Sequence, residues 1–141
     1  MKYQIGYTCG VFDLFHVGHL NLLERCKSMC DCLIVGVCDD EYVRKVKNKE
    51  AVVPAADRIR ILKALKCVDD AILVDIETTN DKMLALERFN FNVLFSGDDW
   101  KGSDRYKKTE KEFDKIGVAI EYLPYTKGVS TSQLKEEMKK K

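Results

Sequence analysis

The stretch Gly10-Val11-Phe12-Asp13-Leu14-Phe15-His16-Val17-Gly18-His19 sets two histidines around a glycine, as H-x-G-H, directly after a short apolar segment. Residues 3–8 read as a first β-strand. Residues 19–27, H-L-N-L-L-E-R-C-K, carry apolar side chains at helical spacing and read as the first helix. Both histidines therefore fall at a strand-to-helix turn, where unpaired N–H groups and the helix dipole favour an anion. Gly18 removes a side chain, so a phosphate can approach the backbone there. His16 and His19 can donate hydrogen bonds to phosphate oxygens, and the arrangement points to a nucleoside triphosphate. Two plainer readings are a pair of satisfied loop histidines and a zinc pair. Zinc would need more ligands, and beyond the nearby Cys9 no fourth is evident.

Outward from this turn, strands and helices alternate. Residues 32–38 form a continuous apolar run, as in a strand covered on both faces. A basic stretch, residues 44–49, lacks periodicity and reads as a loop. Pro54 precedes an amphipathic helix over residues 55–65. Residues 70–74 read as a third strand, 80–88 as a helix and 93–96 as a fourth strand. Gly97-Asp98-Asp99-Trp100 follows that strand's C-terminal end. Residues 105–115 read as a helix closed by Gly117, 118–123 as a fifth strand, and Ser130-Thr131-Ser132 opens a last short helix. The alternation predicts one α/β domain over residues 1–141, with a mainly parallel five-stranded sheet and helices on both faces. Such sheets bind ligands beyond the C-terminal ends of their strands, and all the unusual motifs fall there.

The 141 residues suffice for one real core. Lys plus Arg (24) nearly balances Asp plus Glu (23), so no global field draws the chain to nucleic acid or a membrane surface. No apolar run reaches the roughly 18–20 residues of a membrane span, and no secretory signal precedes the first strand. The six cysteines, Cys9, Cys26, Cys30, Cys32, Cys38 and Cys67, lie mostly inside apolar segments, where a thiol acts as a small hydrophobe. The expectation is a reduced, cytoplasmic protein.

Several other residue groups carry chemistry. Asp13 could orient an imidazole, bind a second substrate or a metal, or cap the turn. Lys45, Lys47 and Lys49 could neutralise a triphosphate or form a solvated face. In Gly97-Asp98-Asp99-Trp100 the carboxylates could hold Mg²⁺ or accept from the exocyclic amine of a base, and Trp100 could pack on a sugar. Residues 126–132, T-K-G-V-S-T-S, combine a glycine and hydroxyls with an opening helix, as in a second anion site or an ordinary N-cap.

Together these residues resemble the cytidylyltransferase family, within the wider H-x-G-H nucleotidyltransferases. The likeness covers nearly the whole chain: G-V-F-D-L-F-H-V-G-H, L-L-E-R-C-K, G-V-C-D-D-E, G-D-D-W and L-P-Y-T-K-G-V-S-T-S agree in order and spacing. The resemblance implies a Rossmann-like fold and a homodimer. It implies that His16 and His19 bind triphosphate and stabilise the transition state, with Lys47 as the catalytic lysine and Lys49 as its alternative. Cys9, Gly10, Val11, Phe12 and Gly18 would line the nucleotide. Asp99 would read the cytosine, and Gly128, Val129, Ser130 and Thr131 would cradle phosphates. Asp13, Arg58, Lys66, Trp100, Tyr125 and Lys127 would serve the second substrate, Arg58 by meeting phosphate.

Three positions depart from the family pattern. Tyr125 and Lys127 stand where its signature has arginine and glutamate, and Lys66 stands for an arginine, losing the planar bidentate fork. Lys127 or Arg105 could restore the positive charge. The implied reaction joins CTP and a phosphorylated alcohol, with Mg²⁺ on the phosphates, to give a CDP-alcohol and pyrophosphate. Glycerol 3-phosphate is the expected acceptor; phosphoethanolamine, phosphocholine and other polyol phosphates are alternatives. An ATP-dependent adenylyltransferase and a non-catalytic nucleotide-binding module are the remaining readings.

Overall fold

The computed structural model is described over residues 2–124. Five strands form one sheet: β1 (Tyr3–Gly10), β2 (Cys30–Cys38), β3 (Asp70–Val74), β4 (Val93–Gly97) and β5 (Ala119–Leu123). Their order is β3-β2-β1-β4-β5 and every pairing is parallel. The register runs from Tyr3 opposite Cys30 to Gly10 opposite Val37 on one side of β1, and sets Tyr7 opposite Leu94 on the other.

Helices cover both faces, as the alternation predicted. On one face, Leu23 and Cys26 of α1 (Val17–Ser28) and Leu62 of α3 (Ala55–Lys63) pack on Leu33, Val35, Val37 and Phe95. On the other, Ala85 and Phe89 of α5 (Lys82–Phe89) and Tyr106 and Phe113 of α6 (Asp104–Asp114) pack with Tyr7, Val74 and Leu94. Tyr7 lies between Phe89 and Phe91, each ring centroid 5.0 Å away. A side chain at Gly36 would collide with the Tyr7 hydroxyl, so a glycine is needed there. All six cysteines are free thiols. No helix among the described residues is long and apolar enough to cross a membrane.

The structure corrects two segments. Arg44 and Lys45 close a short helix, α2 (Asp40–Lys45), and do not belong to a loop. The Asp39 carboxylate caps it, accepting from Tyr42 N at 2.7 Å, and its acidic first turn and basic last turn suit the dipole. Residues 80–88 are not one helix. Asn80 ends α4 (Ile76–Asn80), and Asp81 closes that helix while capping α5 through Met83 N at 3.0 Å.

Strand order reverses at β1, which has β2 on one side and β4 on the other. The crevice beyond the C-terminal ends of β1 and β4 is where an open parallel sheet takes its ligand.

Candidate active site

A cleft of about 260 Å³ opens at this switch point. The end of β1 contributes Cys9 and Gly10, and the following turn contributes Val11 and Phe12. β4 contributes Phe95, Ser96 and Gly97 from the other side. His19, Lys47, Lys82, Trp100 and Arg105 complete a cation-rich wall.

The turn leaving β1 is strained. Phe12 (φ 55°) and Leu14 (φ 50°) both adopt left-handed backbone without being glycine. Asp13, between them, is buried and holds the turn in place. Its carboxylate accepts from Val52 N and Val53 N, each at 2.8 Å, and from Leu14 N at 3.1 Å. The segment after the basic stretch is thereby fastened beneath the histidine turn.

The two histidines cap α1 reciprocally. Gly18 N donates to His16 Nδ1 at 3.0 Å, and His16 N donates to His19 Nδ1 at 3.2 Å. The rings stack with centroids 3.9 Å apart. A ring nitrogen that accepts from an amide carries no proton, so in each neutral imidazole the proton sits on Nε2. Burial lowers the pKa of His16. Burial, and then the neighbouring His16, lower that of His19 to about 4, against a small opposing pull from Asp13. Both rings are therefore neutral Nε2–H donors at neutral pH. Among the described residues, His16 Nε2 is buried and has no hydrogen-bond partner, which suits a donor awaiting a ligand oxygen.

Lys47 lines the cleft, whereas Lys49 does not. Lys45 pairs with Glu41 on the exposed face of α2, at 2.5 Å. Trp100 stacks on Tyr106 at 5.6 Å between centroids, and the Arg105 guanidinium lies 5.9 Å from the indole centre.

Residues 7–137 match the cytidylyltransferase-like family. This chain belongs to that family. It is 36% identical over 131 residues to the glycerol-3-phosphate cytidylyltransferase of Bacillus subtilis (strain 168), covering 93% of this chain and 94% of that protein. It is 37% identical over 116 residues to the FAD synthase of Thermococcus onnurineus (strain NA1), covering 82% and 76%. Among solved structures, the lipopolysaccharide core biosynthesis protein of Thermoplasma volcanium GSS1 superposes with a TM-score of 0.70 over 90% of this chain and 99% of that one, at 24% identity. That likeness is one of fold. Family membership makes the chain an enzyme of the cytidylyltransferase type.

With the family in place, three residues move from the acceptor site to other posts. Arg58 does not reach the cleft: it is 1% exposed and its guanidinium is bound by the protein. Nε donates to Val53 O (2.9 Å), Nη1 to Val11 O (2.7 Å) and Cys38 O (2.8 Å), and Nη2 to Asp40 Oδ1 (2.6 Å). Arg58 thus ties the β1 turn, the end of β2 and α2 together. Asp13 binds backbone amides and does not line the cleft. Lys66 is exposed on the turn entering β3, at the end of the sheet opposite the cleft, so it cannot meet a ligand held at the strands' C-terminal ends. The Gly18 N–H is taken by His16, which leaves that glycine's small size as its contribution.

Asp99 sits on the 3-10 turn Asp98–Trp100 directly after β4, and its side chain is outside the description. Tyr125, Lys127, Gly128, Val129, Ser130 and Thr131, together with the short helix expected at residues 130–132, lie outside the described residues. The sequence reading missed Thr79 and Lys82, which line the cleft beyond β3. Lys82 Nζ donates to Thr79 O at 2.9 Å. Their position after a strand end was the available signal, and reading one helix across the α4–α5 junction hid it.

Proposed function

We propose that this enzyme joins CTP to glycerol 3-phosphate, giving CDP-glycerol and pyrophosphate. The observation that carries the reading is the pair of stacked imidazoles at the switch point of a parallel sheet, both with Nδ1 engaged: His19 lines the cleft, and His16 beside it has a buried, unpartnered Nε2. The full-length likeness to proteins named glycerol-3-phosphate cytidylyltransferase supports the donor base and the acceptor. A second copy of the chain completes the enzyme as a homodimer, as the resemblance implies.

A phosphate oxygen of the acceptor attacks the α-phosphorus of CTP, the bond to the bridging oxygen breaks, and pyrophosphate departs. A phosphate monoester has a second pKa near ~6 and is mostly dianionic at neutral pH, so it needs no general base. The protein's tasks are in-line alignment and stabilisation of spreading negative charge. The histidine Nε2–H groups and Lys47 serve the triphosphate, and Arg105 and Lys82 add cations at the rim. Neutral imidazoles suit this task because they donate without holding the product pyrophosphate as tightly as fixed cations would. Among the described residues no group of three or more His, Cys, Asp or Glu side chains could cage a metal ion. Mg²⁺, which the resemblance implies on the phosphates, would neutralise charge there.

A second reading has an adenine nucleotide as donor. The relative named FAD synthase favours it, since that product contains adenine. Pyrophosphate release with Mg²⁺ separates the two readings when CTP and ATP are crossed with glycerol 3-phosphate, other polyol phosphates, phosphoethanolamine and phosphocholine. Turnover with CTP and glycerol 3-phosphate is expected. Turnover with ATP alone would overturn the donor, and turnover with CTP and another alcohol phosphate would overturn the acceptor.

A further inference from the structure

Cys9 and Cys38 face each other on the cleft floor, with sulfurs 3.7 Å apart. The register explains the approach. Cys9 lies opposite Gly36, and Cys38 is two residues further along β2 on the same face of the sheet. Gly36 has no side chain, so nothing separates the two thiols. They differ in access: Cys9 is half-buried and Cys38 is 2% exposed.

The geometry points to a reversible dithiol–disulfide site, in which a hydroperoxide oxidises Cys9 and Cys38 closes the bond across β1 and β2. The Cys9 sulfur attacks the peroxide oxygen, the O–O bond breaks, and the reduced half leaves as water or an alcohol once protonated. Cys9 becomes a sulfenic acid. The Cys38 sulfur then displaces its hydroxyl, which leaves as water with the Cys38 proton. Two thiols lose two electrons and the peroxide gains them.

The surroundings favour Cys9 as the attacking group. The Cys38 thiol beside it, and the Lys82 ammonium, hold its pKa down in spite of burial. Hydrogen bonding to Cys9 together with burial pushes Cys38 up. The other four thiols are raised by burial, Cys26 to about 12.

Closing the bond draws the sulfurs in by roughly 1.7 Å, from 3.7 Å to a bonded separation of about 2.05 Å. The strand ends must move to allow it. The Cys38 carbonyl and the Val11 carbonyl share one Arg58 nitrogen, so a shift at Cys38 is felt in the turn that lines the cleft. The oxidised enzyme should bind nucleotide more weakly, and a dithiol reductant should restore it.

The test treats the full chain with hydrogen peroxide, blocks the remaining thiols and maps peptides by mass. Expected are loss of two of the six thiols, a peptide linked through Cys9 and Cys38, and full recovery with dithiothreitol. Cys38→Ser should give no link and a dimedone-trapped sulfenic acid at Cys9. If that variant does not fold, Cys38→Ala replaces it. Calorimetric titration with CTP should show affinity reduced roughly tenfold by oxidation, about 1.4 kcal/mol. A link through any other pair, or six thiols surviving peroxide, would overturn the site. Unchanged affinity in the linked protein would overturn its coupling to the cleft. The peptide map needs no nucleotide, so it stands or falls separately from the proposed reaction.

Discussion

At the scale of single residues, His19 and Arg58 do most to shape the site, and each acts through where its nitrogens point. Burial, and then the neighbouring His16, lower the pKa of His19 to about 4, and the bond that its Nδ1 accepts from His16 N is one the neutral ring can make. A base whose folded pKa lies below its unfolded value of about 6.5 contributes stability that is complete above that pH and is lost as pH falls toward the folded pKa. Two-dimensional ¹H–¹⁵N spectra of the free protein should show the Nε2–H tautomer for both rings at pH 7, and no titration of His19 above pH ~5. An Nδ1–H tautomer would contradict the assignment. The turnover rate should then be independent of His19 ionisation above pH ~6, its acid limb following the acceptor's phosphate pKa. His19→Ala should slow turnover by about 100-fold or more, the scale seen when one transition-state donor is removed. Arg58→Ala should cost about 3–5 kcal/mol in urea unfolding, because it strands three backbone carbonyls and Asp40.

Among the elements, the bridge from Asp13 to residues 52–53 fastens the far end of the segment that carries Lys47 to the histidine turn. Asp13→Ala leaves the amides of Val52 and Val53 without their acceptor, at about 1–3 kcal/mol each where they are screened from water. Those two amides should lose protection in hydrogen exchange, and KM for the nucleotide should rise more than kcat falls. Protection unchanged from wild type would show that the segment is held by other contacts. The strand–turn–helix around H-x-G-H was legible because apolar periodicity on both sides bounds it. The Asp13 bridge was not, since its partners are 39 and 40 residues away and no local pattern announces them. α2 and α4 are six and five residues long, too short for a 3.6-residue period to show. Their cap residues Asp39 and Asp75 were visible, but an aspartate after a strand reads equally well as a turn.

For the whole molecule, the alternation of strands and helices gave away the parallel sheet, but its order is set by packing between elements distant in sequence. That order decides which residues share the cleft. Lys82 joins it because β3 ends on the same side as β1 and β4, and Lys66 is kept from it because it precedes β3. Arg58 could not be placed from sequence for a related reason. A buried arginine and a phosphate-binding arginine are one letter, and only the three carbonyls around it distinguish them. The proposed homodimer and ligand binding would both act on the stability of this whole unit, and the two can be read together. A dimer that unfolds to two chains has a melting temperature that rises with protein concentration. For two chains of this length, tenfold more protein should raise it by about 2 °C. CTP at one hundred times its dissociation constant should add about 2.7 kcal/mol per site. Thermal scans across a concentration series, with and without CTP, check both. A melting temperature independent of concentration, together with single-chain mass by light scattering, would refute the dimer. If CTP and ATP stabilised the protein equally, the base would not be read in the ground state, and discrimination would have to arise during turnover.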